Sequence, residues 1–169
     1  MTMDARAIYA SSLRNTHALE QQGLQQMEIQ VSRLERYPDY AALLQQHIET
    51  TRGQLSRLDQ ALQALGESPS TIKETVTSVV GTVGATVHAM AQDETLKNLY
   101  AGYAFQYQQI AAYRSLIAIA GAAGETAHTA GFQQSIQEEE RAAQQVAGII
   151  EPVTRRYVEL TTSGDKADR

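Results

Sequence analysis

Cysteine and tryptophan are absent from this 169-residue sequence, and proline and phenylalanine are scarce, with three and two residues. Without thiols, the chain can form no disulfide, iron–sulfur cluster or cysteine-ligated zinc site. It has no apolar run near the ~18–20 residues that span a bilayer, and its polar first residues do not resemble a signal peptide. We therefore expect a soluble, cytoplasmic protein with no membrane partner.

Positive charge is also in short supply. Fourteen basic residues face nineteen acidic ones, which leaves a formal charge of −5. This balance argues against a nucleic-acid partner, because nucleic-acid binding depends on a basic surface that neutralises phosphates.

The abundant residues are good helix formers, above all Ala, Gln and Leu. Apolar residues at three- and four-residue steps, divided by proline and glycine, predict four long helices. We place these helices at residues 4–36, 39–65, 94–120 and 126–160. Pro152 is expected to kink the last helix or to end its regular part.

The stretch between the second and third predicted helices, residues 66–93, is too long for a hairpin. Ser68 and Pro69 can begin a short helix there, and the spacing of the valines that follow is helical. Two helices, a long crossover and two more helices predict an all-α, ferritin-like four-helix bundle with a single crossover. We expect one domain over residues 1–162 and a disordered tail over residues 163–169.

Polar residues interrupt the apolar seam of each helix near its middle. The metal-ligating types among them are Glu20, His47 and Glu139, with His17 and Glu138 as marginal additions. Bundles of this topology can hold two iron or manganese ions between a Glu from each of two helices and a Glu-x-x-His pair from each of the others. The one Glu-x-x-His pair of the chain, Glu125 and His128, lies at the start of the fourth predicted helix and not on a seam near its middle.

A hydrogen-bonded core network is the alternative to a metal site. Neutral amides and hydroxyls nearby could satisfy the buried carboxylates without an ion; they belong to Gln54, Gln106, Gln109 and Tyr113. We therefore expect no catalytic residue, no cofactor and no bound metal, and we keep Glu20, His47 and Glu139 as the ligands that iron or manganese would use if present.

Several stretches resemble the YciE/YciF-type ferritin-like bacterial stress-response proteins over nearly the whole chain. They are residues 19–22 (LEQQ), 47–58 (HIETTRGQLSRL), 65–67 (LGE), 110–113 (IAAY), 115–118 (SLIA) and 135–139 (SIQEE). The resemblance implies a ferritin-like core with additional short helices, a homodimer, a cytoplasmic setting, a link to stress responses and a carboxylate-rich metal site.

The chain departs from the family at that metal site. Thr50 stands where the family has an acid, Ala143 replaces an aspartate, and residues 106–109 read QYQQ instead of acid–His–x–acid. We therefore predict a divergent, non-enzymatic member, acting as a structural or interaction module. The rival hypothesis is a di-iron or di-manganese protein that stores or oxidises metal. A third is a bundle that presents the valine-rich crossover to a partner.

A homodimer is also expected from the surface. The crossover valines must be covered, either by the bundle or by a second chain, since exposing them would cost several kcal/mol at ~25 cal/mol per Å². The Gln-rich outer face of the first helix could pair with itself across a two-fold axis without charge repulsion.

Overall fold

Four long α-helices dominate the computed structural model, which describes residues 4–67 and 94–168. They are α1 (Ala5–Val31), α2 (Pro38–Ala64), α3 (Glu94–Ala123) and α4 (Thr129–Thr162), and a short 3-10 turn (Thr126–His128) precedes α4. The described part of the chain contains no strand, which confirms the all-α prediction. No helix in these two ranges is long and apolar enough to cross a membrane.

The helix ends follow local signals in the sequence. The Asp4 carboxylate caps α1 by accepting a hydrogen bond from the Ala7 amide at 2.7 Å. Pro38 occupies the first turn of α2, where a missing N–H costs nothing. Gly66 and Gly124 follow α2 and α3 with φ of 82° and 70°, the left-handed conformation that glycine tolerates best.

Contacts at the two ends of the bundle fix the direction of each helix. At one end, Arg6 pairs with Glu125 at 2.8 Å and Arg14 pairs with Glu67 at 2.6 Å. At the other end, Arg33 pairs with Glu94. The helix α1 therefore runs antiparallel to α3.

These contacts also place Glu67 and Glu94 at opposite ends of the bundle, so the chain between α2 and α3 connects the two ends. A four-helix bundle with one such crossover has the ferritin-like topology predicted from the sequence. The predicted short helix of the crossover, within residues 68–93, lies outside the described residues.

The helix α4 includes Pro152 and continues to Thr162, so it does not end at the proline, and the predicted kink stays a prediction. Pro152 has no N–H to donate to the Gly148 carbonyl, which lies one turn earlier in the helix. Both residues are exposed, so water can hydrogen-bond to that carbonyl.

The predicted disordered tail instead packs against the bundle. The Tyr37 hydroxyl donates a hydrogen bond to the Ala167 carbonyl at 2.8 Å, and Ala167 is buried. The Asp168 carboxylate accepts a hydrogen bond from the Thr95 amide at 2.9 Å. A polar terminal segment frays only when it makes no such contacts with the rest of the chain.

Within the described residues, the apolar core consists of two clusters stacked along the bundle axis. One contains Leu24, Met27, Tyr40, Leu44, Leu99, Val146 and Val153, and the other contains Tyr9, Leu13, Leu58, Leu62, Leu116, Phe132 and Ile136. Buried polar side chains lie between the two clusters, at mid-height of the bundle, and form the candidate site.

Candidate functional site

Every helix contributes to a buried polar layer at the centre of the bundle. We define this central polar layer by the following residues: Glu20 from α1; His47, Thr51 and Gln54 from α2; Gln106, Gln109 and Tyr113 from α3; and Ser135 and Glu139 from α4. Glu20 and Glu139 are fully buried. The structure thus brings together Glu20, His47 and Glu139, the three ligand candidates that the sequence indicated, in one layer.

One half of the layer is a chain of hydrogen bonds centred on Glu139. Its Oε1 lies 3.1 Å from His47 Nε2 and accepts a second hydrogen bond from Gln54 Nε2 at 2.8 Å. Gln106 Nε2 lies 3.3 Å from His47 Nδ1. In the tautomer that carries its proton on Nε2, that nitrogen donates to the Glu139 carboxylate and Nδ1 accepts from the Gln106 amide. Both ring nitrogens of His47 are therefore engaged.

The other half of the layer is centred on Glu20, whose Oε2 accepts a hydrogen bond from Gln109 Nε2 at 2.6 Å. Burial, together with the nearby charge of Glu139, raises the pKa of Glu20 to about 8, although Tyr113 and Gln109 partly oppose this shift. Burial and the Glu20 carboxylate raise the pKa of Tyr113 as well. At neutral pH, Glu20 is therefore mostly protonated and Tyr113 stays neutral.

The layer contains more acceptors than donors. Buried polar atoms without a hydrogen-bond partner are Oε1 of Glu20, Gln54, Gln106 and Gln109, Oε2 of Glu139, Oγ1 of Thr51 and the hydroxyl of Tyr113. The Tyr113 hydroxyl is close enough to Glu20 to affect its pKa, but it makes no well-formed hydrogen bond. An unpaired buried oxygen is costly. A proton on Glu20 adds one donor to the layer and so offsets part of this cost.

The donor set does not fit a two-metal centre. Residues 4–67 and 94–168 contain no group of three or more His, Asp or Glu side chains placed to hold a metal ion. The layer offers two carboxylates and one imidazole, and the hydrogen bonds above already occupy one oxygen of each carboxylate and both nitrogens of His47. A di-metal site of this topology uses four carboxylates and two imidazoles.

The two marginal ligand candidates make other interactions. His17 Nε2 lies 3.0 Å from Asp59 Oδ1, and burial lowers the His17 pKa more than Asp59 raises it. Glu138 receives two hydrogen bonds from the Arg57 guanidinium, at 2.6 and 2.8 Å. Neither residue joins the central polar layer.

Arg57 is a site residue that sequence reasoning missed. Besides Glu138, its guanidinium donates to the Ser135 hydroxyl at 2.8 Å, which ties α2 to α4 beside the central polar layer. Arg57 lies three residues after Gln54, on the same face of α2, and this spacing could have revealed it.

Comparison with known proteins agrees with this architecture. The chain is similar to a protein from Xanthomonas campestris pv. campestris, whose crystal structure matches with a TM-score of 0.77 at 26% sequence identity, over 94% of this chain and 98% of that one. Residues 4–159 match the family model described as "Domain of unknown function (DUF892)". Because the match covers nearly the whole bundle, the chain belongs to the DUF892 family.

Proposed function

We propose that this protein is a non-enzymatic, ferritin-like stress-response protein of the YciE/YciF type, in which a hydrogen-bonded polar layer replaces a di-metal centre. It acts as a structural or interaction module. The observation that carries the proposal is the pair of α3 glutamines: Gln106 and Gln109 direct their amide groups at His47 and Glu20.

The chemistry of those two side chains supports this proposal. A glutamine oxygen is neutral and cannot offset the charge of two divalent ions, whereas bridging carboxylates can. The amide nitrogens also occupy the atoms that a metal would need, namely His47 Nδ1 and Glu20 Oε2. With amides in place of acids on α3, His47 and Glu20 form hydrogen bonds with the glutamines instead of binding a metal.

The central polar layer would then serve to align the helices. Its hydrogen bonds join α1 to α3, α3 to α2 and α2 to α4. A buried polar group cannot slide by one helical turn without losing its partner, so such a layer favours one alignment over others. The surface of the aligned bundle remains available for partner proteins.

Metal analysis tests the proposal directly. Protein purified from cells grown with added iron or manganese should contain well below one equivalent of either metal per chain by plasma mass spectrometry. The double variant Gln106→Glu, Gln109→Glu restores two carboxylates and should take up metal under the same conditions. Circular dichroism checks that both proteins have the same helix content.

The second candidate is a di-iron or di-manganese protein that stores or oxidises metal through Glu20, His47 and Glu139. It is favoured by the buried oxygens of Glu20 and Glu139 that lack partners, since a cation would satisfy both. About two equivalents of iron or manganese per wild-type chain would establish this function and overturn the first.

A cytoplasmic location and a homodimer complete the proposal. Two aromatic side chains on the surface of α3 support the dimer: Tyr100 and Tyr107 are about half exposed, at 49% and 53%. Exposed aromatic side chains are typical of protein interfaces.

A further inference from the structure

A cleft between α1 and α3 extends from the surface into the core of the bundle. Its volume is about 180 Å³. All four helices line it with buried apolar side chains: Met27 of α1, Leu44 of α2, Leu99 of α3 and Val146 of α4. Because the two helices on the far side of the bundle take part, the cleft is a pocket with depth and not a groove between two neighbouring helices.

Two glycines line the cleft on the α1 and α3 sides. Gly23 lets the Phe105 ring lie close to α1, since a Cβ atom at Gly23 would lie only 2.6 Å from that ring. Gly102 is exposed, and a Cβ atom there would meet no other atom within 4 Å. The glycine at position 102 therefore leaves room for a small molecule to enter from solvent.

The buried end of the cleft offers a ligand no hydrogen bond. His47, Gln106 and Gln109 line it there. Both ring nitrogens of His47 and the amide nitrogens of the two glutamines are engaged within the central polar layer. The carboxamide oxygens of Gln106 and Gln109 have no partner, but the surrounding atoms leave them almost no accessible surface. A molecule at this end therefore makes van der Waals contacts alone.

From this arrangement we infer that the cleft binds one small uncharged hydrocarbon, about the size of a single six-membered ring. The ring lies against the apolar walls, and its binding is driven by the removal of apolar surface from water. The inference goes beyond the proposed structural role and does not depend on whether metal is bound.

The size and charge of the cleft select this class. An apolar cavity of about 150 Å³ holds one benzene molecule, so about 180 Å³ accommodates one ring with small substituents. The described residues that line the cleft include no Lys, Arg, Asp or Glu. A charged group would find no counter-ion there, and a hydroxyl at the buried end would lose its water without gaining a partner.

Calorimetry with three probes of the same para-substituted shape tests the inference. p-Xylene should bind the wild-type protein saturably, at about one molecule per chain. Hydroquinone carries hydroxyls in place of both methyls, so it must bury one of them at the inner end, and it should bind about tenfold more weakly or worse. Terephthalate must bury a carboxylate in the same way and should not bind.

Spectroscopy and a blocking variant place the probe. The Met27 methyl group lines the cleft and should show nuclear Overhauser contacts to the p-xylene ring. Gly102→Leu puts a side chain where the cleft is open, so it should weaken p-xylene binding about tenfold or more. Gly121→Leu is the matched control, because Gly121 is an exposed glycine of the same helix that does not line the cleft.

Both leucine variants should fold, since leucine is a better helix former than glycine and neither position is crowded, and circular dichroism checks this. Gly121→Leu should bind p-xylene as the wild type does. The inference is overturned if p-xylene shows no saturable binding up to its solubility limit, if hydroquinone binds equally well, if Met27 shows no contact to the bound ring, or if the two leucine variants bind p-xylene alike.

Discussion

At the scale of single residues, Glu20 shows how burial changes the chemistry of a side chain. Its carboxyl is completely buried, it accepts one hydrogen bond from Gln109, and its pKa is raised to about 8. The folded chain therefore binds a proton at Glu20 over a range where the unfolded chain, with a pKa near 4.5, releases it. Glu20 thus stabilises the fold only while it is protonated.

This leads to a prediction about pH and stability. The contribution of Glu20 to the free energy of unfolding is complete below pH 4.5 and is lost as the pH rises towards 8. The loss approaches about 1.4 kcal/mol per pH unit. Glu20→Gln keeps the hydrogen-bonding capacity and removes the titration. In urea unfolding at several pH values between 5.5 and 8.5, the variant should lose little stability as the pH rises, and it should exceed the wild type at the upper end.

Glu151→Gln provides the control, because Glu151 is exposed and pairs only with Arg155 one turn away. This variant should keep the wild-type slope. The pH range also avoids acid effects from Glu138: although burial opposes it, Arg57 lowers the Glu138 pKa, so its stabilising contribution is lost only at acidic pH. Parallel slopes for Glu20→Gln and wild type would contradict the prediction.

At the scale of the secondary-structure elements, the C-terminal segment completes a helix that lies far away in the sequence. The Asp168 carboxylate accepts the Thr95 amide hydrogen in the first turn of α3. The first N–H groups of a helix have no partner within it, and a carboxylate there also interacts favourably with the helix dipole. The segment that follows α4 thus helps to cap α3.

We predict that Asp168→Ala lowers the free energy of unfolding by about 1 kcal/mol, the usual cost of losing a capping side chain. Asp165→Ala is the matched control, because Asp165 lies in the same segment and its side chain contacts only the neighbouring Ser163 hydroxyl. Urea unfolding of both variants measures the difference. Equal stabilities would show that the contact with Thr95 contributes nothing.

At the scale of the whole molecule, the surface of α3 is the best candidate for self-association. Tyr100 and Tyr107 lie two turns apart, and Ala104 and Ala111 are exposed between and beyond them. Small residues let two helices approach closely, and the tyrosine rings supply apolar area. Val158, also exposed, is instead flanked on α4 by the charged residue Glu159.

The predicted outcome is a homodimer in light scattering, with twice the 18.5 kDa mass of one chain at tens of micromolar protein. Tyr107→Glu should give the mass of a single chain, because it places a charge within the contact. Val158→Glu should remain dimeric. A wild-type protein of single-chain mass would refute the dimer, and a dimeric Tyr107→Glu variant would refute the α3 face.

The sequence by itself determined the four helices and their topology. Apolar spacing, the Asp4 cap and the breakers around Pro38, Gly66 and Gly124 are local signals, so the helix bounds agree with prediction within a few residues except at the end of α1. That helix ends at Val31 instead of residue 36, because Leu34 and Tyr37 turn into the core.

The sequence also identified most members of the central polar layer, although not Ser135. A polar residue on an apolar seam can be recognised by its spacing. Only the tertiary structure decided how these residues pair, since hydrogen bonds between helices depend on rotation and alignment that no local pattern encodes. The same holds for the bond from Arg57 to Glu138 and for the packing of the C-terminal segment against the bundle. Each depends on residues distant in the sequence, and packing alone brings them together.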